Sequence, residues 1–296
     1  DRSLLEPAPG SSFCEWKGQA AYFDVVVGDL FLPWAAGTGS LFTREHFEAV
    51  RERLRPGGLF AQWLPLYQMT EREFRTIAWT ALDVFPTVTV WRGNFSAGNP
   101  MMALVCEEDG ATLDGDVVAR NARGLLARGM ARGDMVDLLY GDVVAPEPRA
   151  RAAMSRSVDR LVDVLPFAFY AGNLAANASL FDGADVNTDD LPLVEYRAPL
   201  APASRRLGFR GEDLAEFQRR LASRAPPERD PYLAGLAPAR ASYVRAGLDY
   251  VEANAFKDAN RMADAQVKLA DYMRRIGAAA GEPRPVEPAA VSERER

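Results

Sequence analysis

Histidine and cysteine are scarce here: one imidazole, His46, and two thiols, Cys14 and Cys106, serve 296 residues. A Ser-His-Asp hydrolase or a histidine-ligated metal centre would have to be built on that single imidazole. His46 falls inside a helical pattern, so it reads as a surface or packing residue. Two cysteines make neither a disulfide framework nor zinc spacing, and they read as ordinary thiols of a reducing, cytoplasmic compartment. No metal is expected. No apolar run approaches the roughly 20 residues that span a bilayer. No leader pattern is visible, and the chain opens on Asp1 without an initiator Met, so it reads as a piece of a longer protein. Positive charge is also short: 35 Lys and Arg against 41 Asp and Glu leave a net charge of −6. The arginines are spread along the chain, not gathered in a patch. Nucleic acid is therefore not an expected partner.

What is present suits an ordinary globular core, with 48% hydrophobic and 26% charged residues. "FDVVVGD" (Phe23–Asp29) is a short valine-rich run, which fits a strand buried on both faces. The loop "LFLPWAAGTGS" leads to "LFTREHFEAVRERLRPGG". There Thr43 is a plausible N-cap, Phe47, Val50 and Leu54 share a helix face, and Pro56-Gly57-Gly58 stops the helix. "LFAQWLPLY" reads as a second buried strand. "TEREFRTIAWTALDVF" reads as a helix capped by Thr70, with Phe74, Ile77, Ala78, Ala81 and Leu82 on one face. "TVTVW" and "PMMALVCE" form a hairpin around "SAGN". The order β-α-β-α-β-β implies an α/β fold with a parallel sheet and one antiparallel addition.

Beyond this, Asp114 to about Gly172 reads as helical, interrupted by "APEPRAR". "NTDDLPLVEYRAP" (Asn187–Pro199) reads as a turn cluster and a short strand. Helices follow at roughly Glu212–Arg224 and Pro238–Ile276. The expected organisation is an α/β domain over 1–110, a helical segment with a closing strand over 111–200, a helical C-terminal module over 201–278 and a disordered tail over 279–296. The C-terminal module has spacing like that of one tetratricopeptide helix pair. An ordinary amphipathic hairpin explains it equally, and either must pack on the domain or await neighbours.

In open α/β sheets, ligands bind beyond the carboxyl ends of the strands. Asp29 lies there, as do Gln62 and Trp63 on the neighbouring strand, with Tyr67 in the loop after it. An aspartate at that place needs a cation or several donors, or else caps its own loop. "AAGTGS" reads as a rim loop over the site. Asp189 and Asp190 either help hold an amine or cap a turn with Asn187 and Thr188, and the turn is the favoured reading. Glu195 is a weaker candidate.

The runs "YFDVVVGDLFLPW", "GSLFTREHFEAVRERLRPGGLFAQW", "FPTVTVW" and "FSAGNPMMALV", with "NTDDLPLVEYRAP", resemble the spermidine synthase family of aminopropyltransferases. The likeness runs over roughly Tyr22 to Val105 and is greatest to the bacterial branch often fused to membrane segments. It implies the C-terminal half of a class I methyltransferase-like (Rossmann-like) sheet followed by a helical extension. It also implies transfer of an aminopropyl group from decarboxylated S-adenosylmethionine, as co-substrate, to a polyamine such as putrescine. Asp29 would be the catalytic carboxylate of a D-x-x-D-P segment. Asp29, Leu30 and Pro33 would line the cofactor side, and Gln62, Trp63, Tyr67, Asp189 and Asp190 the amine side. The sequence departs from that pattern at Leu32, where the second aspartate would stand. It also lacks a Gly-rich strand-turn-helix before Phe23, so the resemblance implies N-terminal truncation. A homodimer and a membrane-fused parent are further implications. Two other readings stay open: a non-catalytic binding or scaffold domain, and a class I methyltransferase using ordinary S-adenosylmethionine.

Overall fold

The computed structural model describes residues 22–30, 37–93, 99–110, 112–127, 163–197 and 211–280. Strand β1 (Phe23–Gly28) runs into the segment that leads to helix α1 (Arg44–Arg51), and β2 (Leu54–Pro65) returns parallel to β1. The Thr43 hydroxyl caps α1 by accepting from the His46 amide at 3.4 Å. The helix ends sooner than its apolar pattern suggests. Leu54, expected on the helix face, opens β2 and pairs with Phe23. Pairing then jumps to Val25 opposite Leu59, so Arg55–Gly58 loop out of the ladder, and Gly57 takes φ +75° there. That left-handed backbone is open to glycine without steric cost.

Helix α2 (Glu71–Val84) starts at Thr70, whose amide donates to the Glu73 carboxylate at 2.6 Å. This is one arm of a capping box. The chain continues into β3 (Thr87–Arg92) and turns back as β4 (Met101–Glu107), the hairpin read from the sequence. Strand β4 inserts antiparallel between β2 and β3, and β5 (Tyr170–Asn173) adds antiparallel to β3. The result is a five-stranded mixed sheet in the order β1-β2-β4-β3-β5.

Side chains alternate across this sheet. On one face Phe60, Leu64, Val88, Val90, Leu104 and Cys106 are buried, with Phe47 of α1 and Phe85 packed on Phe60 at 5.7 and 6.2 Å. On the other face Tyr170 stacks at 5.9 Å with Tyr232, which lies in the turn Pro231–Leu233, and this covers the β3–β5 side.

Helices α3 (Gly115–Ala127), α4 (Leu193–Arg197), α5 (Gly211–Arg224), α6 (Pro238–Asp258) and α7 (Met262–Ala280) complete the described structure. The stretch read as helical from Pro238 to Ile276 folds as the hairpin α6–α7, reversed at Asn260 with φ 59°. It does pack on the domain: α6 contacts β5, α5 and the turn Leu165–Phe169. Glu252, almost fully buried, pairs with Arg219 of α5 and Lys268 of α7, both at 2.6 Å. One continuous hydrophobic core runs from Phe42 to Tyr272.

Three readings need correction. Strand β1 is not buried on both faces: it is the sheet edge, with Phe23 42%, Val25 52% and Val27 59% exposed. Burial on both faces needs a layer packed over each, and the face carrying Phe23, Val25 and Val27 is left exposed. The segment Leu193–Arg197, expected as a strand, is helix α4. Pro192 precedes it and the Asn187 side chain accepts from the Val194 amide at 3.2 Å, which together start a helix. Strand β5 lies where helix was expected. "APEPRAR" and residues 281–296 fall outside the described residues.

Candidate functional site

The parallel register sets Gly28 of β1 beside Gln62 of β2, so Asp29 and Gln62 do meet at the strand ends. Gln62 is fully buried. Its Nε2 donates to the main-chain oxygen of Asp29 at 3.2 Å and to that of Trp63 at 3.1 Å. Its Oε1 is buried with no hydrogen-bond partner among the described residues. Gly28 makes this possible, because a Cβ there would sit 2.2 Å from that oxygen. The glycine was not singled out in the sequence, although the close approach of two strand backbones to a long amide demands it.

Asp29 is exposed, and its Oδ1 accepts from the amide of Leu30 at 2.7 Å. The carboxylate caps its own loop, as an aspartate at a strand end can. Leu30 is exposed, and Pro33 lies outside the described residues. Trp63 follows Gln62 by one residue and therefore stands on the opposite face of the sheet. It packs near Gly93, where a Cβ would be 2.7 Å from the indole ring. Gln62 and Trp63 thus do not line one wall together. Tyr67 lies half-buried in the turn Leu66–Gln68, and Gln68 Oε1 is a second buried acceptor with no partner among the described residues.

Asp189 and Asp190 are not gathered at the ends of β1 and β2 by any contact among the described residues. Asp189 accepts from the Thr43 hydroxyl at 2.8 Å, and its amide donates to Glu45 at 2.9 Å. It anchors the start of α1, so the turn reading describes it better than the amine reading. Asn187 makes the same clasp tighter. It is fully buried, its amide donates to Thr80 at 2.9 Å, and its Nδ2 donates to the Gly39 oxygen at 3.2 Å. Asp190 is exposed. Glu195 accepts from the Gly37 amide at 3.1 Å, tying α4 to the segment that precedes α1. His46 packs against Phe47 and Phe60, and burial holds its pKa below the usual value against the opposing pull of Asp189. Burial pushes the Cys106 thiol far up, which keeps it protonated and inert. Among the described residues no three His, Cys, Asp or Glu side chains are grouped to hold a metal, and no helix is long and apolar enough to cross a membrane.

A second polar cluster lies at the far end of the sheet. Asp230 accepts from the Tyr170 hydroxyl at 2.5 Å, Asn173 at 3.1 Å and the Tyr232 amide at 3.0 Å. The Tyr232 hydroxyl donates to Glu107 at 2.7 Å. Arg92 is buried against neutral acceptors: the Ala168 oxygen at 2.6 Å, the Tyr170 oxygen at 2.5 Å and Gln218 Oε1 at 2.6 Å. Burial brings its pKa down to about 9, so it stays cationic at neutral pH. These groups pin β3, β4 and β5 to the helices, and most of their polar atoms are paired from within; Gln218 Nε2 is buried with no hydrogen-bond partner among the described residues.

Compared with known proteins, the chain matches the family model NTP_transf_9, a domain of unknown function (DUF427), over residues 1–36. No curated protein matches it. The match covers 36 of 296 residues and stops short of α1, β2 and Gln62. It overturns the resemblance to the spermidine synthase family, which the comparisons do not support. The physical reason lies in the residues that carried that resemblance. A valine-rich strand, an amphipathic helix stopped by Pro-Gly-Gly and a second apolar strand are what any parallel βαβ unit requires. The similarity established for this chain is to NTP_transf_9, and it is confined to residues 1–36.

Proposed function

We propose that the β1–β2 end of the sheet binds a small cationic amine, such as putrescine, and that the domain holds it without chemical turnover. We read β1 to β4 as one half of a doubly wound sheet. Support comes from the two helical crossovers, through α1 and α2, which leave β1, β2 and β3 pointing the same way. In such sheets the crevice beyond the strand ends takes the ligand. The single observation that carries the proposal is Gln62 Oε1, a buried acceptor without a described donor, one residue away from an exposed carboxylate. A buried acceptor left open asks for an N–H or O–H, and a nearby Asp29 favours a donor that is charged.

Binding fits better than catalysis because, among the described residues, no second carboxylate is in contact with Asp29. Asp189 is occupied at α1, so among the described residues no second carboxylate is gathered to take a proton from the amine. Calorimetric titration with putrescine tests this. Heat is expected, with affinity lowered about tenfold in Asp29→Asn, an exposed change that leaves packing alone. Gln62→Leu should abolish it. No heat for the unaltered chain overturns the reading. Aminopropyl transfer from decarboxylated S-adenosylmethionine, or methyl transfer from S-adenosylmethionine, would replace binding by catalysis.

A further inference from the structure

Paired parallel strands are normally covered on both faces, and exposed edges are normally blunted by charge, proline or shortness. β1 departs from both habits. Its outer edge has no partner among the described strands, and Phe23, Val25 and Val27 are exposed on the same face. That face continues through half-buried Leu59, Ala61 and Trp63 of β2. The one charge on the strand, Asp24, is answered by Arg55 at 2.8 Å.

We propose that β1 pairs antiparallel with β1 of a second copy of this chain, joining two five-stranded sheets across a two-fold axis at Val25. Registers centred on Asp24, Val25 or Val26 all keep like faces together. An axis at Asp24 sets two carboxylates opposite one another, which is unfavourable. An axis at Val26 leaves Phe23 without an opposite residue in the strand. An axis at Val25 sets Phe23 opposite Val27, Val25 opposite itself and Asp24 opposite Val26. It forms aromatic–β-branched and β-branched pairs and keeps the carboxylates apart. The contact is isologous and closes on itself, so it does not propagate. It joins two six-residue strands, and a reversible dimer is expected.

This register has a consequence for the strand ends. Tyr22 of the second copy comes opposite Gly28, on the Gln62 side of the sheet and beside Asp29. An aromatic ring there adds a cation-binding surface that one copy lacks. That consequence rests on the amine reading; the dimer does not.

Sedimentation equilibrium of the full chain across the micromolar range tests the pairing. A monomer–dimer equilibrium is expected, weakened about tenfold or more by Val25→Lys, with the circular dichroism unchanged. Directly opposed Cβ atoms lie about 4.5–5.5 Å apart in such a ladder, close enough for a disulfide after a small shift. In a Cys14→Ala background, Val25→Cys should cross-link on oxidation and Val267→Cys, equally exposed on α7, should not. A monomer throughout, a dimer indifferent to Val25→Lys, cross-linking through position 267 alone, or open-ended aggregation would each overturn the proposal. A monomer that binds putrescine would sink the dimer alone, and a dimer without putrescine heat would sink the amine reading alone.

Discussion

The two ends of the sheet are built by different rules. At the β3–β5 end both faces are covered, and the polar side chains Tyr170, Asn173, Asp230, Tyr232, Glu107 and Arg92 find partners among themselves and the backbone. At the β1–β2 end Phe23, Val25 and Val27 are exposed on one face, and Gln62 and Gln68 each hold a buried oxygen without a described partner, where the polar cluster at the other end has the nitrogen of Gln218. Satisfied, doubly covered regions open only with the whole domain, while sparsely packed ones carry binding and motion. The contrast is one of burial: stability is expected to concentrate at the β3–β5 end, and the proposed amine site lies at the other.

Asp230→Ala should break that contrast most severely. It removes the acceptor of three buried donors, at about 1–3 kcal/mol for each left unpaired. A loss of at least about 3 kcal/mol is expected in denaturant unfolding, with putrescine affinity intact wherever the chain remains folded. Gly28→Ala should come next, at about 1–3 kcal/mol, because the new methyl displaces a buried amide. Here the binding heat should vanish together with part of the stability. If Gly28→Ala leaves the heat unchanged, Gln62 is not part of a binding site.

Much of the framework was legible. Thr43 and Thr70 announce α1 and α2, and the valine and threonine alternation of Thr87–Trp91 announces β3. These signals are local, and local chemistry decides them. β5 was not legible: its four residues, Tyr170–Asn173, carry no period, and only the ladder to β3 makes them a strand. α4 was misread because "LPLVEY" alternates like a strand, while the side chain that starts the helix, Asn187, lies several residues upstream. At the candidate site, the meeting of Asp29 with Gln62 followed from parallel strands ending together. The separation of Trp63 from Gln62 was equally available from strand alternation, yet both were assigned to one wall. The burial of Arg92 could not be read, since its acceptors come from residues more than seventy positions away.

A matched pair of substitutions sharpens the comparison at lower amplitude. Val88→Thr puts a hydroxyl into a fully buried position on the covered face and should cost about 1–2 kcal/mol. Val27→Thr makes the same chemical change on the bare face and should stay within about 0.5 kcal/mol in a monomeric preparation. Equal costs at the two sites would mean that β1 is covered in solution even without a second copy.

The smallest effect concerns pH. Burial holds the Glu107 carboxyl above its usual value, opposed by the hydrogen bond from Tyr232 and assisted by the Asp109 charge. In the window from its unfolded value of 4.5 up to the raised folded value, the native state holds more of this proton than the unfolded state. Its contribution to stability is therefore full below that window and is lost as pH rises through it. Glu107→Gln keeps an acceptor for the Tyr232 hydroxyl but cannot ionise. Melting temperatures measured from pH 4 to pH 7 should fall less with pH in the variant than in the unaltered chain. An unchanged slope would mean that the Glu107 carboxylate is as well solvated folded as unfolded, and the satisfied end of the sheet would then reach no further than Tyr232.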